Sequence, residues 1–344
     1  MRYKTAEEYS SEILNGNRLA LSRAITLVES TKSEHQKIAG EFLNKLIPHT
    51  GKSIRVGITG VPGAGKSTFI ETLGCYLIEN RHKVAVLAID PSSTVSGGSI
   101  LADKTRMEKL SVSPNAFIRP SPSSSHLGGV AQKTRETMLL CEAAGFDVII
   151  IETIGVGQSE VTAASMVDFF LVLMLPNAGD ELQGIKKGVL ELADAIAINK
   201  ADSKEIEKAL LAKKVYENAM HILTPISKNW MPPVLTCSAL EKRGIDEIWK
   251  TILKHKEIFE QSGELIKKRK EQEINWMWAM LDANLKNYIF SMPAVKKAIS
   301  EAKHALQEGK ITPNSAANLI LDSITNRSQN QESQDAISGL VRSR

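Results

Sequence analysis

Nine consecutive residues, Gly60-Val61-Pro62-Gly63-Ala64-Gly65-Lys66-Ser67-Thr68, constrain this chain more than any other stretch. They follow an apolar run over 53–59 and precede a helix-compatible run from Thr68 to Asn80. Strand, glycine loop and helix in that order are what a phosphate-binding P-loop requires. Without side chains at 60, 63 and 65, backbone N–H groups can turn inward around phosphate oxygens. The helix that follows adds the positive end of its dipole to the same site. Lys66 would then reach the β- and γ-phosphates, and the Ser67 hydroxyl would take one position on a magnesium ion.

The rest of the composition sets wide limits. A chain of 344 residues holds one large domain with additions, or two modest domains. Hydrophobic content of 42% and charged content of 24% describe an ordinary globular protein, and a net charge of +4 argues neither for nor against a nucleic-acid partner. Cys75, Cys141 and Cys237 are far apart and odd in number. They form neither a metal-ligand spacing nor a disulfide framework, as suits a reducing compartment. The polar start lacks the apolar core of a signal peptide, and the longest apolar stretch, Phe169 to Leu175, is too short to span a bilayer. The expectation is a soluble cytoplasmic protein with no nucleic-acid and no membrane partner.

Residues 5–47 read as two or three short amphipathic helices, with Leu19, Leu21, Ala24, Ile25, Leu27 and Val28 clustered on one side, ended by Pro48 and Gly51. From 53 to about 260, apolar strand-like runs alternate with helical ones. The strand candidates are 53–59, 83–89, 147–151, 168–175, 194–198 and 233–237. This pattern predicts an α/β fold with a largely parallel central sheet covered on both faces, which binds ligands at the carboxyl ends of its strands. Beyond 260 a charged helix start leads into an apolar face carrying Trp276, Trp278, Leu281 and Leu285, and Pro293 and Pro313 punctuate two further helices. Two tryptophans outside a catalytic domain need burial, and an oligomer interface is a candidate. The expected division is a helical extension over 1–50, a nucleotide-binding domain over 51–260, a helical arm over 261–325 and a disordered tail over 326–344.

Asn199-Lys200-Ala201-Asp202 stands at the end of the strand candidate 194–198. A carboxylate there meets the edge of a purine. Guanine offers N1–H and an N2 amino group, two donors for two carboxylate oxygens, whereas adenine presents an acceptor. The mismatch discriminates strongly, at roughly 1.5–3 kcal/mol per charge-assisted bond. Ser238-Ala239-Leu240, after the 233–237 candidate, fits a second base-contacting loop. That signal is the weaker of the two.

Asp90 ends one strand candidate and Glu152 another, and two carboxylates converging near Ser67 suit magnesium. Glu152-Thr-Ile-Gly155 is like the DxxG switch of GTPases with Glu for Asp, and Gly155 can offer its N–H to a γ-phosphate. Where Ras-like GTPases carry a water-positioning glutamine after that glycine, this chain has Val156. Slow intrinsic hydrolysis follows, unless another group serves. Asp103 is the candidate, with an ordinary acid at a helix start as the other reading.

Taken together, GVPGAGKST (60–68), AIDPSS (88–93), GGSILADKTRM (97–107), ETIGVGQSE (152–160), GDELQGIKKG (179–188) and NKAD (199–202) closely resemble the methylmalonyl-CoA mutase-associated GTPases. These form the MeaB/ArgK group of the SIMIBI-class P-loop GTPases. The resemblance implies a magnesium-dependent GTPase that is a homodimer through its C-terminal arm. It also implies a chaperone that loads and protects an adenosylcobalamin-dependent acyl-CoA mutase. Within that resemblance the loop from Gly179 to Gly188, Gln183 and Lys186 in particular, is a third switch that answers to the mutase. Two other readings stay open: a metallochaperone GTPase for a nickel or zinc enzyme, which would need a Cys/His cluster, and a transport-associated ATPase or kinase, which NKAD does not support.

Overall fold

The computed structural model describes residues 4–89, 107–120, 127–153, 159–176, 187–222 and 227–324. Strand β1 (Ile54–Gly60) is buried along its whole length. It lies at the centre of a seven-stranded sheet of order β3-β2-β4-β1-β5-β6-β7. The other strands are β2 (Val84–Ile89), β3 (Ala116–Arg119), β4 (Val148–Thr153), β5 (Phe169–Met174), β6 (Ala195–Ile198) and β7 (Val234–Thr236). All six pairings are parallel. The expected largely parallel sheet is therefore observed.

A parallel sheet needs helices on both faces, and period-two alternation sorts its side chains between two cores. Ile149 and Ile151 of β4 and Phe170 and Val172 of β5 face one core. The helix Leu127–Ala143 and the three N-terminal helices, Ala6–Leu14, Arg18–Glu29 and Ser33–Leu46, cover that side. Val56 and Ile58 of β1 and Leu171 and Leu173 of β5 face the other core, against Phe69 and Leu73 of the helix Lys66–Glu79 and Trp249 and Ile252 of the helix Ile245–Gln261.

The N-terminal region forms three helices, and Leu21, Ala24, Ile25, Leu27 and Val28 are buried as the periodicity predicts. Leu19 is not: it is 60% exposed, one residue inside a helix capped by the Asn17 side chain. A seventh strand, β3, joins the six expected ones at the sheet edge. Strand ends move by one or two residues, so Glu152 lies within β4, one residue before its end.

The amino ends of the strands are tied by charge. Arg55 of β1 donates from Nε to Glu142 at 2.7 Å and from Nη2 at 3.1 Å, both groups being buried. Arg269 forks onto Asp168, just before β5, at 2.7 and 2.6 Å, and also donates to the Ser53 carbonyl at 2.7 Å. These pairs hold the root of the helix Glu264–Ser291 against the starts of β1 and β5. A cleft of about 370 Å³ lined by Phe170, Asp194, Trp230 and Lys268 opens at the same end of the strands, away from the glycine loop.

The described residues from Ile274 onward belong to a second unit. Within it the chain continues in helix to Ser291, then through the helix Pro293–Gln307 and a helical stretch over 313–324. The expected tail over 326–344 lies outside the described residues.

Candidate nucleotide site

The loop 60–65 turns directly off the central strand. At Gly60 a Cβ would lie 2.3 Å from the Leu173 carbonyl oxygen, because the loop begins where β1 still pairs with β5. Gly65 has φ +81° and caps the helix Lys66–Glu79 in the left-handed region, which favours glycine. A Cβ there would also meet Asn199 Nδ2 at 2.9 Å. Val61, Pro62, Gly63 and Thr68 are half-buried or exposed around the loop, and Ala64 is buried beneath it. The first N–H groups of the following helix carry its positive dipole end toward the loop, an anion site by construction.

Lys66 Nζ donates to the Gly60 carbonyl at 2.9 Å and the Val61 carbonyl at 3.4 Å. Burial pushes its ammonium below the usual lysine range, and the carboxylates of Glu152 and Glu160 oppose that shift. A desolvated cation near the loop gains more from a phosphate than a hydrated one would. Glu160 is 8% exposed. Its only sequence signal is its place in ETIGVGQSE, and its electrostatic reach to Lys66 could not be read there.

Ser67 Oγ donates to Glu152 Oε1 at 3.2 Å, which brings together two of the three expected metal positions. A hydroxyl in the first turn of the helix Lys66–Glu79 and a carboxylate near the carboxyl end of β4 are oxygen donors of the kind magnesium prefers. Deeper in the site, Thr153 donates its hydroxyl to Thr59 at 2.7 Å and ties β4 to β1. Asp90, Asp103, Gly155, Gln183 and Lys186 lie outside the described residues.

The base-side residues converge on the same loop. Asn199, 1% exposed, donates Nδ2 to the Ala64 carbonyl at 2.7 Å and accepts the Ala239 N–H on Oδ1 at 3.1 Å. Lys200 is exposed at φ +59°, a turn that carries the chain from β6 to Asp202. Ser238 donates its hydroxyl to Asp202 Oδ1. Leu240 is 77% exposed beside them, an apolar side chain available to the face of a flat ring. The structure thus brings the 60–68, 199–202 and 238–240 segments together at the carboxyl edge of β1, β6 and β7.

The chain is similar to several known proteins. The GTPase ArgK of Escherichia coli is 48% identical over 309 residues, 90% of this chain and 93% of its own. The mouse protein named methylmalonic aciduria type A homolog, mitochondrial, is 43% identical over 325 residues, 92% of this chain and 78% of its own. A solved structure titled LAO/AO transport system kinase superposes with a TM-score of 0.74 at 40% identity, covering 94% of this chain and 99% of that one. With these likenesses and a match over residues 21–294, the chain belongs to the methylmalonyl-CoA mutase-associated GTPase family MeaB.

Proposed function

We propose that this GTPase is a magnesium-dependent chaperone for an adenosylcobalamin-dependent acyl-CoA mutase, supporting the loading and protection of its cofactor. The observation that carries this reading is the family match over 21–294, which takes in the phosphate loop, both base loops and the 179–188 stretch. Ser67 and Glu152, with Asp90, would hold the magnesium ion. When bound, the ion would supply Lewis-acid neutralisation of phosphate charge. Lys66 binds phosphate, Gly155 senses the γ-phosphate, and Asp202 selects guanine. Val156 leaves no water-positioning glutamine after Gly155, so hydrolysis awaits Asp103 or a partner-ordered loop carrying Gln183 and Lys186.

A homodimer through the C-terminal arm is part of the same proposal. Ile274, Trp278, Leu281, Leu285 and Tyr288 repeat at alternating intervals of four and three and are between 49% and 64% exposed. That spacing makes a seam suited to a second helix of the same kind. Trp278→Glu with Leu285→Glu should convert the dimer to a monomer in sedimentation, and an unchanged sedimentation coefficient would remove the arm from the interface.

Single-turnover GTP hydrolysis, with and without a cobalamin-dependent acyl-CoA mutase, tests the main reading. Wild type should be stimulated, and Lys186→Ala should lose most of the stimulation at nearly unchanged basal turnover. No stimulation in either protein would overturn the partner assignment. Equal stimulation in both would overturn the role given to Lys186.

A further inference from the structure

The two base loops are joined by more than the Ser238–Asp202 bond, and the additional joints lie on either side of Asp202. Ala201 donates its N–H to the Cys237 carbonyl at 3.0 Å, while its own carbonyl accepts Arg243 Nη2 at 2.9 Å. Ser203 donates its N–H to Glu241 Oε1 at 3.2 Å, and its hydroxyl reaches both oxygens of the same carboxylate at 3.2 Å. Arg243 Nη2 and Glu241 Oε2 pair at 2.6 Å. The frame is closed on the other loop by Glu241 N–H to Ser238 Oγ at 2.9 Å and by reciprocal backbone bonds between Ser238 and Arg243 at 3.0 Å.

We infer that Glu241 and Arg243 are positioning residues for base selection: they fasten the residues before and after Asp202 and so aim its carboxylate. The inference rests on the reading of Asp202 as the group that meets the purine edge. Two donors on guanine can be satisfied only if both carboxylate oxygens point along one edge, since hydrogen bonds weaken steeply off axis. Within its own loop Asp202 is held through its backbone, its carbonyl accepting the Glu205 N–H at 2.8 Å beside Lys200 in the left-handed region, while its carboxylate accepts from Ser238 of the second loop. Its orientation is therefore set by the second loop. Arg243 and Glu241 have side chains 48% and 35% exposed, and an ion pair so placed adds little to folding stability. Its effect belongs in selectivity.

Inosine triphosphate separates selectivity from general damage, because its base keeps N1–H and lacks the 2-amino group. The measurement is the ratio of kcat/KM for GTP over inosine triphosphate, with melting temperature alongside, in wild type, Arg243→Ala, Glu241→Ala and Asp202→Asn. Wild type should prefer GTP. Arg243→Ala and Glu241→Ala should each lower the ratio by about tenfold, the scale of one charge-assisted hydrogen bond, through KM and with little change in melting. Glu241→Ala reads the same frame independently should Arg243→Ala fold poorly. A ratio unchanged in both, with equal losses for the two nucleotides, would overturn the inference while a collapsed ratio in Asp202→Asn leaves the guanine reading intact. A wild-type ratio unchanged by Asp202→Asn would instead overturn the reading of Asp202, and the inference with it.

Discussion

The side-chain amide of Asn199 donates to the Ala64 carbonyl at 2.7 Å, and this bond joins the 199–202 segment to the glycine loop after β1. Asn199 is a brace: it meets loop backbone on both sides, through Ala64 and Ala239. Asn199→Ala should strand one buried carbonyl and one buried N–H, a cost of about 1–3 kcal/mol. Because Asn199 braces both loops and both are used alike by GTP and GDP, the two affinities should fall together, by about tenfold to a hundredfold in fluorescence titration. A loss confined to GTP would show that Asn199 acts on the γ-phosphate instead.

Gly60 and Gly40 make opposite predictions for the same substitution. An alanine Cβ at Gly60 would lie 2.3 Å from the Leu173 carbonyl, so β1 and β5 must separate at the phosphate loop. Gly60→Ala should cost about 2–4 kcal/mol in urea unfolding and weaken nucleotide binding as well. Gly40, exposed in the helix Ser33–Leu46, has nothing within 4 Å of the same added atom. Gly40→Ala should stabilise by about 0.5–1 kcal/mol and leave GTP binding unchanged. Equal stability of the two variants would contradict the packing at β5.

Much of this architecture is legible in the sequence because its strands are buried on both faces and its motifs follow their carboxyl ends. Six strands stand out as apolar runs between helices. The seventh does not: Ala116–Arg119 is four residues long and is flanked by Pro114 and Pro120, which read as loop. Leu19 fails for a local reason, since helical period alone does not say how wide the buried stripe is. In the site, Asn199, Asp202 and Ser238 carry short-motif signals, but Glu241 and Arg243 do not. Their contacts join residues about forty positions apart, and no periodicity records which side chains will meet across two loops.

Glu136 gives a pH signature. It is half-buried on the helix Leu127–Ala143, with Gln132 Nε2 donating to it at 3.3 Å. Burial pushes its carboxyl up from 4.5 to about 7, against the smaller effects of Gln132 and Lys133. The folded state then binds more protons than the unfolded chain between those two values, so stability falls as pH rises through that window. Allowing for partial exposure, the loss is about 2 kcal/mol above pH 7. Glu136→Gln keeps a hydrogen-bonding amide without the charge. It should melt higher than wild type at pH 8 and flatten the decline between pH 4.5 and 7, whereas parallel melting curves for the two proteins would place the titration elsewhere.

Asp202 is where fold and chemistry meet most directly. Its carboxylate stands at the end of β6, held by Ser238 across the base loops and linked through Asn199 to the phosphate loop. Guanine presents two donors to two acceptor oxygens. Asp202→Asn replaces one acceptor by an NH₂ donor, which then faces the 2-amino group of guanine and leaves both unpaired. Xanthine carries a carbonyl oxygen at that position and accepts the new donor. GTP affinity should therefore fall by at least tenfold, at about 1.5–3 kcal/mol per charge-assisted bond, while xanthosine triphosphate gains by a comparable factor. Phosphate contacts are untouched, so bound nucleotide of either kind should still depend on Lys66. Competitive titration of GTP, xanthosine triphosphate and ATP against wild type and Asp202→Asn decides the matter. Equal wild-type affinity for ATP and GTP would dismiss a guanine edge altogether, and a uniform loss across all three nucleotides would make Asp202 a structural support of the loop rather than its reader.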